Sequence, residues 1–201
     1  MNCRALLVSV LFLVASAGCE VADDEPDPLP EPSFCEQHGW TERPFDNDGP
    51  YGEYRHDTAD SFKVELLNGS DWKLRDHWSG CGSVVILTDR SRVSALDSTS
   101  LWENSEDVTA LVEKSPRNVY YLFIAARSAA SADQSLEDMQ ERIDEVLGDL
   151  DQDDRDWWTE RLLVVGEFAD DLNNWVERVL DDDAGAGFII DRLQQIRLFG
   201  N

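Results

Sequence analysis

Basic residues are scarce in this chain of 201 residues. Three lysines (Lys63, Lys73, Lys114) and fourteen arginines stand against 42 Asp and Glu, giving a formal net charge of −25. A field of that sign repels phosphodiester backbones and anionic headgroups, which excludes nucleic acid as a partner and leaves no electrostatic route to a membrane surface. Long apolar runs are missing too. The longest spans residues 5–14, too short for the roughly 20 residues a helix needs to cross a bilayer. Neither a glycine-rich phosphate loop nor a Gly-x-Ser-x-Gly elbow occurs. The only histidines, His38, His56 and His77, all lie in the first half, so the second half has no imidazole to serve as a base.

What is present begins with a targeting signal. Residues 1–19 combine Arg4, an apolar core from Ala5 to Val14 and the small-residue stretch Ala15-Ser16-Ala17-Gly18 before Cys19, the layout of a bacterial secretory signal. The stretch resembles a lipoprotein signal, in which Cys19 becomes the lipidated first residue, although Ser16 stands where a larger apolar residue is usual. Ala15 and Ala17 also offer a small-x-small site for ordinary signal peptidase. Both cuts send the chain out of the cytoplasm, either anchored at the cell envelope (periplasmic or surface) or secreted. Residues 20–33 are Asp, Glu and Pro with almost nothing to bury, a solvated spacer. Residues 34–201 have the length of one domain with a sizeable core.

The acids are skewed towards Asp, 26 against 16 Glu. Many carboxylates with few lysines suit a protein that stays soluble in high salt, where screening removes self-repulsion. Of the four cysteines, Cys35 and Cys81 fall in the folded part. In an oxidising compartment such a pair forms a disulfide, here tying the domain's N-terminal edge to the loop before its central strand. Cys35-x-x-His38 and His77-x-x-x-Cys81 also have ligand types and spacings compatible with tetrahedral zinc, which remains the alternative.

Periodicity sets the architecture. Ser61–Leu67 alternates Phe62, Val64 and Leu66 with polar residues, and Asn68-Gly69 turns it towards Trp72-Lys73-Leu74, predicting a hairpin. Ser83–Thr88 and Asn118–Ala126 are continuous apolar runs, as are residues 161–165, the pattern of strands covered on both faces. Helices are predicted over Ser105–Ser115 and Asp133–Leu150, the second opened by a capping box of Ser135 and Asp138. An acidic turn follows. Phe168, Leu172, Trp175, Val176, Val179 and Leu180 trace one face of a further helix, ended by a solvated Asp181-Asp182-Asp183 run, since carboxylates oppose the dipole at a helix C-terminus. Gly187–Asp191 and Gln195–Phe199 read as two strands joined by a tight turn. The sum is an α/β domain in three layers around a mixed central sheet, with an N-terminal hairpin and a terminal β-hairpin.

The hairpin before a buried strand, the two βα units, and Phe188-Ile189-Ile190-Asp191-Arg192 followed by Ile196-Arg197 resemble the thioredoxin-like superfamily, in its thiol-oxidoreductase and peroxiredoxin branch, over about residues 60–200. Such a resemblance implies a redox cysteine in the loop after the first central strand, where a helix N-terminus lowers the thiol pKa. The corresponding segment here, residues 89–97, contains no cysteine. Ser91 and Ser94 offer hydroxyls there without a neighbouring base. The family's cis-proline, three residues ahead of Phe188, is replaced by Gly185. The chain ends at Phe199-Gly200-Asn201, where such folds usually add a closing helix, pointing to an accessory domain of a longer secreted protein or a naturally shortened one.

Other motifs are weaker. Asp46-Asn47-Asp48-Gly49 fails as a calcium loop, because a twelve-residue alignment would start at Pro44 and end at Arg55. Asp151, Asp153, Asp154 and Asp156 read as a solvated acidic turn before a loose cation site. Trp157-Trp158, Trp72 and Trp78 can stack on sugar rings or anchor a partner, but also suit a core. The reading is therefore a lipid-anchored, redox-inactive thioredoxin-like binding module without catalytic residues, metal or cofactor, facing an envelope or secreted protein or a glycan and touching a membrane only through its anchor. The alternative is a thiol-disulfide oxidoreductase using Cys81 and Cys35.

Overall fold

The computed structural model describes residues 32–89, 101–125, 132–167, 175–182 and 187–198. The chain divides into Met1–Glu31 and Pro32–Asn201, and every described residue belongs to the second unit. In chain order the elements are α1 (Phe34–Gln37), β1 (Lys63–Glu65), β2 (Asp71–Lys73), a 3-10 turn at Leu74–His77, β3 (Ser83–Thr88), α2 (Ser105–Lys114), β4 (Val119–Ile124), α3 (Ala132–Asp149), α4 (Gln152–Thr159), β5 (Leu162–Val164), α5 (Trp175–Asp182), β6 (Gly187–Ile190) and β7 (Ile196–Leu198). No helix among the described residues is long and apolar enough to cross a membrane.

Two sheets result. β1 and β2 form the antiparallel hairpin, with Val64 opposite Trp72. The larger sheet is mixed, in the order β5-β4-β3-β6-β7. β3 runs parallel to β4, Ile86 opposite Leu122, and β4 parallel to β5. β6 returns antiparallel against β3, Ile86 opposite Phe188, and β7 closes antiparallel on β6. The parallel pairs need long crossovers, which α2 and then α3 with α4 supply.

Alternation along the strands sends side chains to two separate cores. Val84, Ile86, Leu122 and Ile124 pack with Trp72, Trp175 and Phe188 on one face. Val85, Tyr121 and Phe123 pack with Val108, Met139 and Trp158 on the other. Fully burying one such side chain is worth about 1.5–3 kcal/mol, which explains why β3 and β4 are apolar without interruption. Trp175 is further fixed by its indole N–H, which donates to the Gly52 carbonyl at 2.7 Å. Gly187 has φ +145°, and a Cβ there would lie 2.2 Å from the Ile86 carbonyl oxygen, so the start of β6 can reach β3 only without a side chain.

Both outer strands are occupied. Beyond β5, Leu67 N–H donates to the Val164 carbonyl at 2.9 Å and Gly166 N–H to the Glu65 carbonyl at 2.8 Å. Beyond β7, His56 N–H donates to the Ile196 carbonyl at 2.9 Å, and Ile196 N–H to the Asp57 carbonyl at 2.9 Å.

Three local expectations change. The acidic stretch after α3 is a helix: Asp151 is its N-cap, its carboxylate accepting Asp154 N–H at 2.9 Å, and Asp153 and Asp154 occupy its first turn. Carboxylates at that end complement the helix dipole and donate no competing bond, so the same residues that mark a loop also start a helix. Arg155 then satisfies carbonyls at the end of α3, from Leu147 and Gly148, and that of Leu150 just beyond it, at 2.8–3.0 Å. Ser135 lies inside α3, which begins at Ala132, so it does not cap the helix; an alanine before it extends the helix at little cost. Asp181 and Asp182 belong to α5, which is held by the packing of Trp175, Val176, Val179 and Leu180 in the core. Asp183 and residues 168–174 lie outside the described residues.

Candidate functional site

Cys35 and Cys81 are joined in a disulfide, with Cα atoms 5.3 Å apart, and are 1% and 4% exposed. α1 presents Cys35 through a capping box: Glu36 N–H donates to the Ser33 hydroxyl at 3.3 Å, while Ser33 N–H donates to the Glu36 carboxylate at 2.8 Å. On the other side, Cys81 leads into β3. Asn118 holds this junction, its side-chain amide donating to the Cys81 carbonyl at 2.7 Å and its own carbonyl accepting Ser83 N–H at 2.9 Å. Gly82 permits the approach, since a Cβ there would come within 2.6 Å of the Asn118 carbonyl oxygen.

Above the disulfide opens a pocket of about 330 Å³. Trp78, Cys81 and Ser83 line one side, and Tyr120, Trp157 and Arg161 the other. Because Ser83, Asn118 and Arg161 stand just before or at the first residues of β3, β4 and β5, the pocket sits at the amino ends of the parallel strands. Ligands in open α/β sheets more commonly bind at the carboxyl ends. The segment after β3 at that opposite end, from residue 90 to 100 with Ser91 and Ser94, lies outside the described residues, as do Cys19 and Gly185.

Two guanidinium groups frame Trp157. Arg161 lies 3.7 Å and Arg117 5.0 Å from the centre of its ring. Arg161 also covers Tyr120 at 5.1 Å and donates from Nη1 to the Trp157 carbonyl at 3.0 Å. Arg117 pairs with Asp154 at 2.7 Å, and the Trp157 indole N–H donates to the Arg117 carbonyl at 3.2 Å. His77 stacks flat on Trp72, ring centres 4.9 Å apart. Burial against these rings pulls its imidazole below the ordinary value of 6.5; Asp76 opposes the shift and Arg161 adds to it. Tyr120 lies against the same imidazole, ring centres 5.4 Å apart, while the residue as a whole remains exposed, so the shift is that of a partly covered ring.

No protein-family model matches the chain, and no curated protein matches it.

The other sequence candidates separate. His38 stacks on Phe34 at 4.1 Å and its Nδ1 lies 3.0 Å from the Phe34 carbonyl oxygen. With Cys35 bonded to Cys81 and His77 on Trp72, the four residues of the zinc alternative are engaged elsewhere. Among the described residues no three His, Cys, Asp or Glu side chains are placed to hold a metal ion. Asp46 accepts Asp48 N–H at 3.0 Å in a local turn. The tryptophans divide: Trp72 and Trp158 are core, whereas Trp78 and Trp157 line the pocket. Sequence reasoning missed Arg117, Arg161 and Tyr120. The signal available was a basic residue shortly before each of two parallel strands, which topology brings to one end.

Proposed function

We propose that this chain is an extracytoplasmic, lipid-anchored binding module built on a redox-inactive thioredoxin-like domain. Support for the fold comes from the mixed five-stranded sheet with parallel crossovers beside an antiparallel closing hairpin, and from apolar cores on both faces of that sheet, the three-layer arrangement the resemblance implies. The observation that carries the functional reading is the position of the cysteines: bonded to each other, buried, and at the amino ends of the parallel strands. The segment after β3 has none. A thiol nucleophile must be exposed and acidic to attack a disulfide. Recognition by strand addition is blocked at both outer strands, so the binding face is the pocket with the surface around it.

Lipidation of Cys19 fits the signal and the stiff acidic spacer that follows. The rival reading, a thiol-disulfide oxidoreductase using Cys81 with Cys35 as resolving partner, makes a different prediction in an insulin-reduction assay. The binding module gives no turnover, and its bridge resists mild dithiol. Turnover that disappears in Cys81→Ser would establish the oxidoreductase instead.

A further inference from the structure

In a molecule carrying a net charge of −25, the pocket above the disulfide concentrates cationic donors. Arg161 is only 14% exposed in its side chain, yet it uses Nη1 alone, towards the Trp157 carbonyl and, at 3.6 Å, Glu160. Its Nε and Nη2 hydrogens have no acceptor among the described residues. Arg117, half exposed, spends Nη2 on Asp154, and its Nε and Nη1 have no partner among the described residues. Guanidinium groups with free donors recognise a carboxylate through charge-assisted hydrogen bonds, and both of these lie within 5.0 Å of the centre of the Trp157 ring. The rest of the lining differs in kind: among the described residues Asp76 and the Ser83 hydroxyl have no hydrogen-bond partner, and Trp78 supplies flat apolar surface. The Trp78 indole N–H, like that of Trp72, is enclosed without an acceptor among the described residues, an arrangement that asks for an explanation.

We propose that this pocket binds a sugar acid: a hydroxylated six-membered ring bearing a single carboxylate. The carboxylate meets Arg161 and Arg117, the ring lies against the aromatic surface, and ring hydroxyls donate to Asp76 and Ser83. One negative charge is the limit. Beyond about 8 Å a single site is screened from the rest of the protein at physiological salt, but a polyanion would extend over the acidic surface and be repelled. The inference rests on the reading of the domain as a binding module and adds the ligand class.

Calorimetric titration of the purified mature chain at physiological salt tests it, with glucuronate, glucose and benzoate as probes. Glucuronate is expected to saturate one site with a Kd on the order of millimolar, as suits a ligand of that size. Glucose lacks the carboxylate and benzoate the hydroxyls, so each should bind at least about tenfold more weakly. Arg161→Gln and Arg117→Gln should each weaken glucuronate about tenfold; the second variant alters a half-exposed side chain, and circular dichroism checks that both fold. No saturation, equal binding of glucose, or unchanged affinity in both variants overturns the proposal. Insulin reduction reads the redox question separately, so failure here leaves the redox-inactive module standing.

Discussion

Gln194 reaches back 148 residues to hold Asp46: its Oε1 accepts Asp46 N–H at 2.7 Å, and its Nε2 donates to the Asp46 carbonyl at 3.2 Å. The same Nε2 donates to the Ala59 carbonyl at 2.7 Å, while the Gln194 carbonyl accepts Ala59 N–H at 2.8 Å. Buried and at φ +61°, this one side chain pins the irregular segment before β1 to the turn between β6 and β7.

Replacing it therefore leaves several buried groups without partners. Gln194→Leu is expected to lower stability by about 2–4 kcal/mol, since each unsatisfied buried group costs about 1–3 kcal/mol. Urea denaturation reads this as a lower midpoint with the slope unchanged. A loss below about 0.5 kcal/mol, the size of an ordinary surface substitution, would show that the segment is held by something else.

The disulfide spans 46 residues of sequence. Chain entropy alone predicts that opening it costs about 4 kcal/mol, measurable as the stability difference between oxidised protein and a Cys35→Ser, Cys81→Ser double variant. In denaturant without reductant, thiol titration should find neither cysteine free. A zinc site at Cys35, His38, His77 and Cys81 would instead release two thiols.

His77 gives a pH dependence of defined sign. Its folded pKa lies below 6.5, so the unfolded chain binds the proton more readily. The contribution is fully present above 6.5 and is lost as pH falls through that value towards the folded pKa. His77→Phe keeps a ring against Trp72 and removes the proton site. Relative to that variant, the wild type should lose stability between pH 7 and pH 5; parallel profiles would exclude the effect.

A net charge of −25 should make the fold more stable in molar sodium chloride than in dilute buffer, because screening shortens the reach of like charges from about 30 Å at 0.01 M to about 3 Å at 1 M. Thermal midpoints across a salt series check this. Equal midpoints would discard adaptation to a saline habitat as the reason for the Asp-rich surface.

Strands whose apolar character is continuous were legible from sequence, and β3 occupies Ser83–Thr88 as its six residues predict. So was α2, where Asn104 caps the helix, its side chain accepting Asp107 N–H at 3.1 Å, and Pro116 follows its end. Aspartates misled at α4 and at the end of α5 because the same side chain suits a loop, an N-cap or a solvated helix face, and only the surrounding packing decides. Residues 40–60 carry no periodic pattern. Their path is fixed by partners far along the chain, Gln194 and Trp175, which local reasoning does not reach. The pocket was half visible: Trp157 and Trp78 stood out as possible stacking surfaces, but Arg117 and Arg161 line it together only because β4 and β5 run parallel.

Residues 56–58 and 65–67 plug the sheet on its two flanks, and this governs behaviour under crowding. Molecules confined close together find, among the described residues, the outer rungs of β5 and β7 already taken. Growth of a fibre from this sheet then waits for residues 65–67 to peel away from Val165 or residues 56–58 from Ile196, so its onset is timed by a local opening within each molecule rather than by how often two molecules collide.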